Sequence, residues 1–70
     1  MDVSYTHHAQ RRMAQRNVSH ADVVATLSDP DVRYTDPDGN PIYTCAVGSR
    51  RIKVVVAPGG PPHIVITVGD

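Results

Sequence analysis

The chain has 70 residues, enough for one small domain and too few for two. It contains no Phe and no Trp, so its core must be built from Val, Ile, Leu, Ala and Met. The formal net charge is zero, which excludes a nucleic-acid binder that relies on a global excess of positive charge. The single cysteine, Cys45, excludes an internal disulfide and a cysteine-based zinc site.

The same composition carries an expectation about location. So small a domain without disulfides favours a reducing, cytoplasmic setting, in which Cys45 is a packed, inert thiol. The first residues show no basic segment leading into an apolar run, so we expect no signal peptide. No apolar stretch approaches the roughly 18 residues of a membrane span, and no membrane association is expected.

Charge is unevenly distributed along the chain. Residues 1–20 carry three Arg against one Asp, residues 21–40 carry one Arg against five Asp, and residues 41–70 carry two Arg and one Lys against one Asp. The first and last parts are therefore net positive, and the middle is net negative. A local basic patch forms only if the first and last parts of the chain meet in the fold.

Two helices are predicted at the start of the chain. Residues 5–16 lack Gly and Pro and repeat apolar side chains every four residues, which is typical of an amphipathic helix. Asn17 suits the left-handed position that ends a helix. Ser19 with Asp22 has the spacing of a capping box and predicts a second helix over about 20–28.

The apolar pattern then changes from helical to alternating. We expect three or four antiparallel strands, at residues 31–35, 42–47, 51–57 and 63–68, because only short turns separate them. Alternation places one set of side chains beneath the helices: Ile52, Val54, Val56, Ile64, Ile66 and Val68. The opposite face would carry Arg51, Lys53, Val55, His63, Val65 and Thr67. The predicted fold is α+β, with two N-terminal helices packed on a three- to four-stranded antiparallel sheet.

One local pattern is distinctive, and it runs through the first predicted helix and its end: His8-Ala9-x-x-Arg12-Met13-x-x-Arg16-Asn17-Val18-Ser19. It resembles the start of a bacterial family known as domain of unknown function 4258, with Asn17 in place of the family's usual Gly. Residues 48–56 and 64–68 resemble the C-terminal strands of that family, so the resemblance covers nearly the whole chain. The family is in turn similar to RelE-type toxins. This implies a RelE-like fold, metal-independent ribonuclease activity and a cognate antitoxin as partner.

The helical stripe of His8, Arg12 and Arg16 is the candidate catalytic group. At 100° per residue the three side chains fall within about 80° of one helix face. Cleavage of a phosphodiester needs a proton shuttle, which His supplies, and fixed positive charge on the phosphate, which Arg supplies. With the ribose 2′-OH as nucleophile, no metal is required. The alternative is a solvated basic face, with His8 capping the helix or packing against the sheet.

The strand residues Arg51, Lys53 and His63 are candidate substrate-binding residues, able to hold the phosphates of an RNA. The alternative is ordinary solvent-facing charge that discourages aggregation at a sheet edge. The four histidines lack HxH or HxxxH spacing, so neither a metal nor another cofactor is predicted.

Two functions remain open at this point. The first is a RelE-like ribonuclease or toxin-type domain that cleaves or binds RNA. The second is a non-catalytic module that self-associates or binds a protein partner, favoured by Val55 and Val65 on the outer face of the sheet. They differ in whether the basic residues of the helix and of the strands share one surface.

Overall fold

The computed structural model describes residues 1–70. A five-stranded mixed sheet carries two helices on one of its faces. The strands lie in the order β1-β5-β4-β3-β2. The elements follow along the chain as β1 (Val3–Tyr5), α1 (His7–Arg16), α2 (His20–Ser28), β2 (Val32–Thr35), β3 (Pro41–Val47), β4 (Arg50–Val56) and β5 (His63–Gly69).

The ends of both helices follow from local side-chain chemistry. Thr6 caps α1 by accepting a hydrogen bond from the Ala9 amide at 3.0 Å. Asn17 ends α1 in the left-handed conformation, at φ 54° and ψ 49°, as its sequence position indicated. Ser19 and Asp22 form the complete capping box that opens α2. The predicted pair of helices is therefore confirmed.

The prediction for the start of the chain, which had a helix from residue 5 and no strand before it, is wrong. Residues Val3–Tyr5 form a strand that pairs in parallel with β5, with Tyr5 opposite Val65. The sheet therefore has five strands and is mixed, where three or four antiparallel strands were expected. Three residues are too few to show alternation, and their partner is the last strand of the chain, so no local pattern reports the pairing. The Thr6 cap also moves the start of α1 to His7.

A bulge in β5 overturns part of the predicted face assignment. Val55 lies opposite Thr67 and Val56 lies opposite Val65, so Ile66 is an additional residue on β5. An extra residue shifts the alternation by one. Val65 is therefore fully buried, whereas Ile64 is 41% exposed, the reverse of the expectation.

The core lies between the helices and the sheet. Ile52, Val54 and Val56 line it as predicted, and Val68 joins them from β5. Val55 faces away from the helices but is only 7% exposed, because its cross-strand neighbours Ile42 and Thr67 flank it on the outer face. α1 packs chiefly on β5, and α2 packs on β4 and β3. Neither helix has the length and apolar character that crossing a membrane requires.

Candidate functional site

The free edge of β5 is closed by side chains of α1. The pairing of β1 with β5 ends at Val65, so the next part of β5 has no strand on that side. Thr6 Oγ1 donates to the Ile66 carbonyl at 3.0 Å, and Arg12 Nε donates to the Val68 carbonyl at 3.3 Å. These bonds satisfy carbonyl groups that an uncovered edge would present to another chain.

Arg12 also lies beside the residue that pairs with a strand cation. A Cβ atom placed on Gly69 would lie 4.0 Å from Arg12 Nη2. Gly69 is the cross-strand partner of Lys53, and the Cα atoms of such partners are about 5.5 Å apart or less. The backbone of Gly69, which has no side chain, thus separates the Arg12 guanidinium from the backbone of Lys53.

Arg50 holds the end of α1 at the same place. Its guanidinium donates to the carbonyl of Asn17 at 2.9 Å and to the carbonyl of Arg16 at 2.6 Å, and it pairs with Asp70 at 3.0 Å. These carbonyls belong to the last turn of the helix, where they have no helical partner. Arg50 is half-buried, and its Nε makes no hydrogen bond. It therefore links the end of α1, the start of β4 and the last residue.

We call the end of the sheet where β5 finishes and β4 begins the basic end. Five cationic residues have their backbones there or reach it: Arg12, Arg16, Arg50, Arg51 and Lys53. The first and last parts of the chain do meet, so the condition for a local basic patch is satisfied. Asp70 pairs with Arg50, and Asp31 pairs with Arg51 at 3.3 Å. The other three cations have no ion-pair partner.

The predicted catalytic stripe is exposed at its two ends and half-buried at its centre. His8 and Arg16 are exposed, and neither side chain makes a hydrogen bond within the chain. Arg12 is half-buried on the edge of β5. The stripe therefore runs along the edge of the sheet and ends at the basic end, with His8 one helical turn before Arg12.

The predicted substrate-binding residues are not gathered in one place. Arg51 and Lys53 are exposed on the sheet face opposite the helices, where Arg51 Nη1 donates to Thr44 Oγ1 at 3.1 Å. His63 is at the other end of β5, opposite Val3. The helix and strand groups thus occupy different faces, and they approach one another only across Gly69. Their roles in binding or catalysis stay predictions.

Most of the distinctive helical motif has a structural explanation. Its members bury apolar surface, close the sheet edge, end α1 or begin α2: Ala9, Arg12, Met13, Asn17, Val18 and Ser19. Only the side chains of His8 and Arg16 have no structural role of this kind. A surface histidine and, about 12 Å further along the helix, an arginine with no partner are the parts of the motif left for chemistry.

Two features of this region escaped the sequence reasoning. The first is the role of Arg50 at the end of α1. The sequence analysis gave Arg50 no role of its own, although the alternation within β4 could have placed it on the helix side. Tyr5 and His20 are hydrogen-bonded through Oη and Nδ1, with their rings edge to face at 5.8 Å between centroids. Burial raises the pKa of Tyr5 above its usual value. No spacing rule connects a short N-terminal strand to the first turn of a second helix.

Comparison with known proteins identifies the family. The model of a domain of unknown function, DUF4258, matches residues 5–70, and the chain belongs to this family. Searches of the curated proteins and of the solved structures find no match.

Proposed function

We propose that this domain binds RNA at its basic end and cleaves it without a metal, as a toxin-type ribonuclease. The observation that carries the proposal is that the Arg12 guanidinium lies beside Gly69, the cross-strand partner of Lys53. Arg12, held by its hydrogen bond to Val68, and the exposed Lys53 have no ion-pair partner, and such cations suit the phosphates of a single strand. The proposal includes the similarity to RelE-type toxins that the motif implies. It also includes a cytoplasmic setting.

The chemistry we propose uses the stripe as a unit. His8 removes the proton of a ribose 2′-OH, whose oxygen attacks the adjacent phosphorus. The bond from phosphorus to the 5′-oxygen breaks, and that oxygen takes a proton from solvent, leaving a cyclic phosphate. Arg12 and Arg16 neutralise the charge that grows on the phosphate oxygens. His8 is about 6 Å along the helix axis from Arg12, which suits neighbouring atoms of one nucleotide.

Two strand residues have auxiliary roles in this proposal. Lys53 and Arg51 contact phosphates on either side of the scissile bond. His63 is six positions away from Gly69, about 20 Å along an extended strand, so its contact requires RNA that follows the whole of β5.

A cleavage assay with a matched histidine control tests the catalytic part. A single-stranded RNA oligonucleotide is incubated with the wild type in a chelator, and products are separated on a gel. We expect cleavage that His8→Ala reduces by about 100-fold or more, the usual range for a general base. His7→Ala is the control, because His7 is also exposed but points about 100° away. No cleavage, or equal loss in both variants, contradicts the proposal.

The outer face of the sheet favours a second candidate function, a module that self-associates or binds a protein such as an antitoxin. Val55 and Val65, the residues first expected to support it, are buried. The exposed apolar residues on this face are instead Val32, Tyr34 and Ile64, at 50%, 46% and 41% exposure. Sedimentation velocity over a range of concentrations tests self-association, and a monomer at every concentration counts against it.

A further inference from the structure

The strand β2 is the open edge of the sheet. All four of its residues are exposed, and β3 is its only strand neighbour. At the other side of the sheet, Thr6 and Arg12 donate hydrogen bonds to carbonyl groups of β5. The strand β1 has only three residues there and leads directly into α1. β2 is therefore where an added strand would find free backbone groups over the longest stretch.

Pairing alternation shows which backbone groups of β2 are free. The Asp36 amide donates to the Asn40 carbonyl at 3.0 Å, and Tyr34 lies opposite Ile42 in the same register. In an antiparallel pair, every second residue directs its N–H and C=O toward the partner. The groups of Tyr34 thus face β3, and those of Arg33 and Thr35 point away from the sheet.

The side chains of β2 give the two faces of this edge different chemistry. Val32 and Tyr34 are on the open face, each about half exposed. Arg33 is on the helix side, with its guanidinium carbon 5.2 Å from the centre of the Tyr43 ring. A strand laid along β2 would therefore cover apolar surface on the open face. The nearest cation there is Arg51, whose guanidinium is paired with Asp31 and donates to Thr44, the partner of Val32.

Acidic residues bracket the strand on both sides. Asp29 and Asp31 precede it, Asp36 and Asp38 follow it, and Arg33 is the only cation within this stretch. Asp31 is paired with Arg51 of β4, so the carboxylates without an ion-pair partner are those of Asp29, Asp36 and Asp38. Hydrogen bonds from the Asn40 backbone, and further ones from the same turn, hold the pKa of Asp36 below its usual range. Its carboxylate is therefore ionised at neutral pH and fixed in position.

We propose that the β2 edge docks an extended, basic segment of a partner protein, which adds a sixth strand to the sheet. Backbone hydrogen bonds to Arg33 and Thr35 would supply affinity, and the bracketing carboxylates would select positive charge. A second copy of the chain fits poorly. Antiparallel pairing of two β2 strands with Arg33 opposite Thr35 would set Asp31 of one chain opposite Pro37 of the other, between Asp36 and Asp38.

This inference gives the interaction-module candidate a defined surface, and it does not depend on RNA cleavage, because an acidic edge repels RNA. The probe is a synthetic seven-residue peptide in which Lys alternates with Val or Thr. Its titration is followed by amide chemical shifts of the protein. We expect shifts and slowed hydrogen exchange at Arg33 and Thr35. The same peptide with Glu for each Lys should bind at least about fivefold more weakly.

Charge variants away from the strand itself make the test specific. Asp29→Asn combined with Asp38→Asn removes two exposed carboxylates that make no side-chain hydrogen bond, so the fold should be retained. We expect about fivefold weaker binding of the basic peptide. Asp2→Asn, exposed near the opposite side of the sheet, should leave binding unchanged.

Three outcomes would overturn the proposal. The first is equal binding of the acidic and basic peptides. The second is a set of shifts confined to other surfaces, such as the region around Ile64, which would keep an interaction module but remove the edge from it. The third is a concentration-dependent dimer that shifts the Arg33 and Thr35 amides without peptide, which would assign the edge to a second copy.

Discussion

Replacing Arg50 with Met should destabilise the domain by about 2–3 kcal/mol. A hydrogen bond from a charged donor contributes about 1.5–3 kcal/mol. The side chain is 31% exposed, so water can partly replace the bonds to the Arg16 and Asn17 carbonyls, and about 1 kcal/mol each is reasonable. The exposed pair with Asp70 adds about 0.5 kcal/mol. The Arg50→Met variant keeps the apolar stem and removes only the charged group.

Urea unfolding followed by circular dichroism measures this effect. The transition midpoint should fall with little change in slope, and the melting temperature should drop by about 14–20 °C for a domain of this size. Arg51→Met is the matched control: its pair with Asp31 has side chains 54% and 47% exposed, so we expect less than about 0.5 kcal/mol. The reasoning is refuted if both variants lose the same stability, or if Arg50→Met unfolds like the wild type.

Three further predictions concern stability. Val65→Ala should cost about 1.5–3 kcal/mol by urea unfolding and Ile64→Ala less than about 1 kcal/mol; the opposite order would contradict the bulge. Asn17→Ala should cost about 1 kcal/mol because Asn17 has φ 54°, whereas Asn17→Gly should be nearly neutral; equal effects would exclude the conformational explanation. Hydrogen bonds lower the pKa of Asp22 and Asp36, so their stabilisation is present above the unfolded pKa, near 4, and is lost as pH falls through the folded values. Stability measured from pH 5 to pH 2 should decline less steeply in Asp22→Asn, and an unchanged slope would contradict this.

The parts of the fold that could be predicted are those whose cause is local. Asn17, Ser19 and Asp22 determine where one helix ends and the next begins, and all three act within a few residues of the chain. The alternation of Ile52, Val54 and Val56 is local as well, because every second residue of a strand lies on the same face of the sheet.

The parts that could not be predicted depend on contacts between distant segments. β1 exists because β5 offers it a free edge, and the bulge at Ile66 is visible only in the register of β5 against β4. The candidate site shows the same division. Spacing alone placed His8, Arg12 and Arg16 on one helix face, but only the packing of α1 on β5 shows that Arg12 reaches Gly69, the partner of Lys53.

The most direct test of the central claim is an amide chemical-shift titration of the domain with a single-stranded RNA oligonucleotide, repeated at two salt concentrations. We expect the largest shifts at Lys53, Gly69 and the end of α1, with affinity that falls as salt rises. Lys53→Gln should weaken binding and reduce the dependence on salt. Shifts confined to β2, or an affinity that does not change with salt, would contradict the proposal that the basic end is the RNA interface.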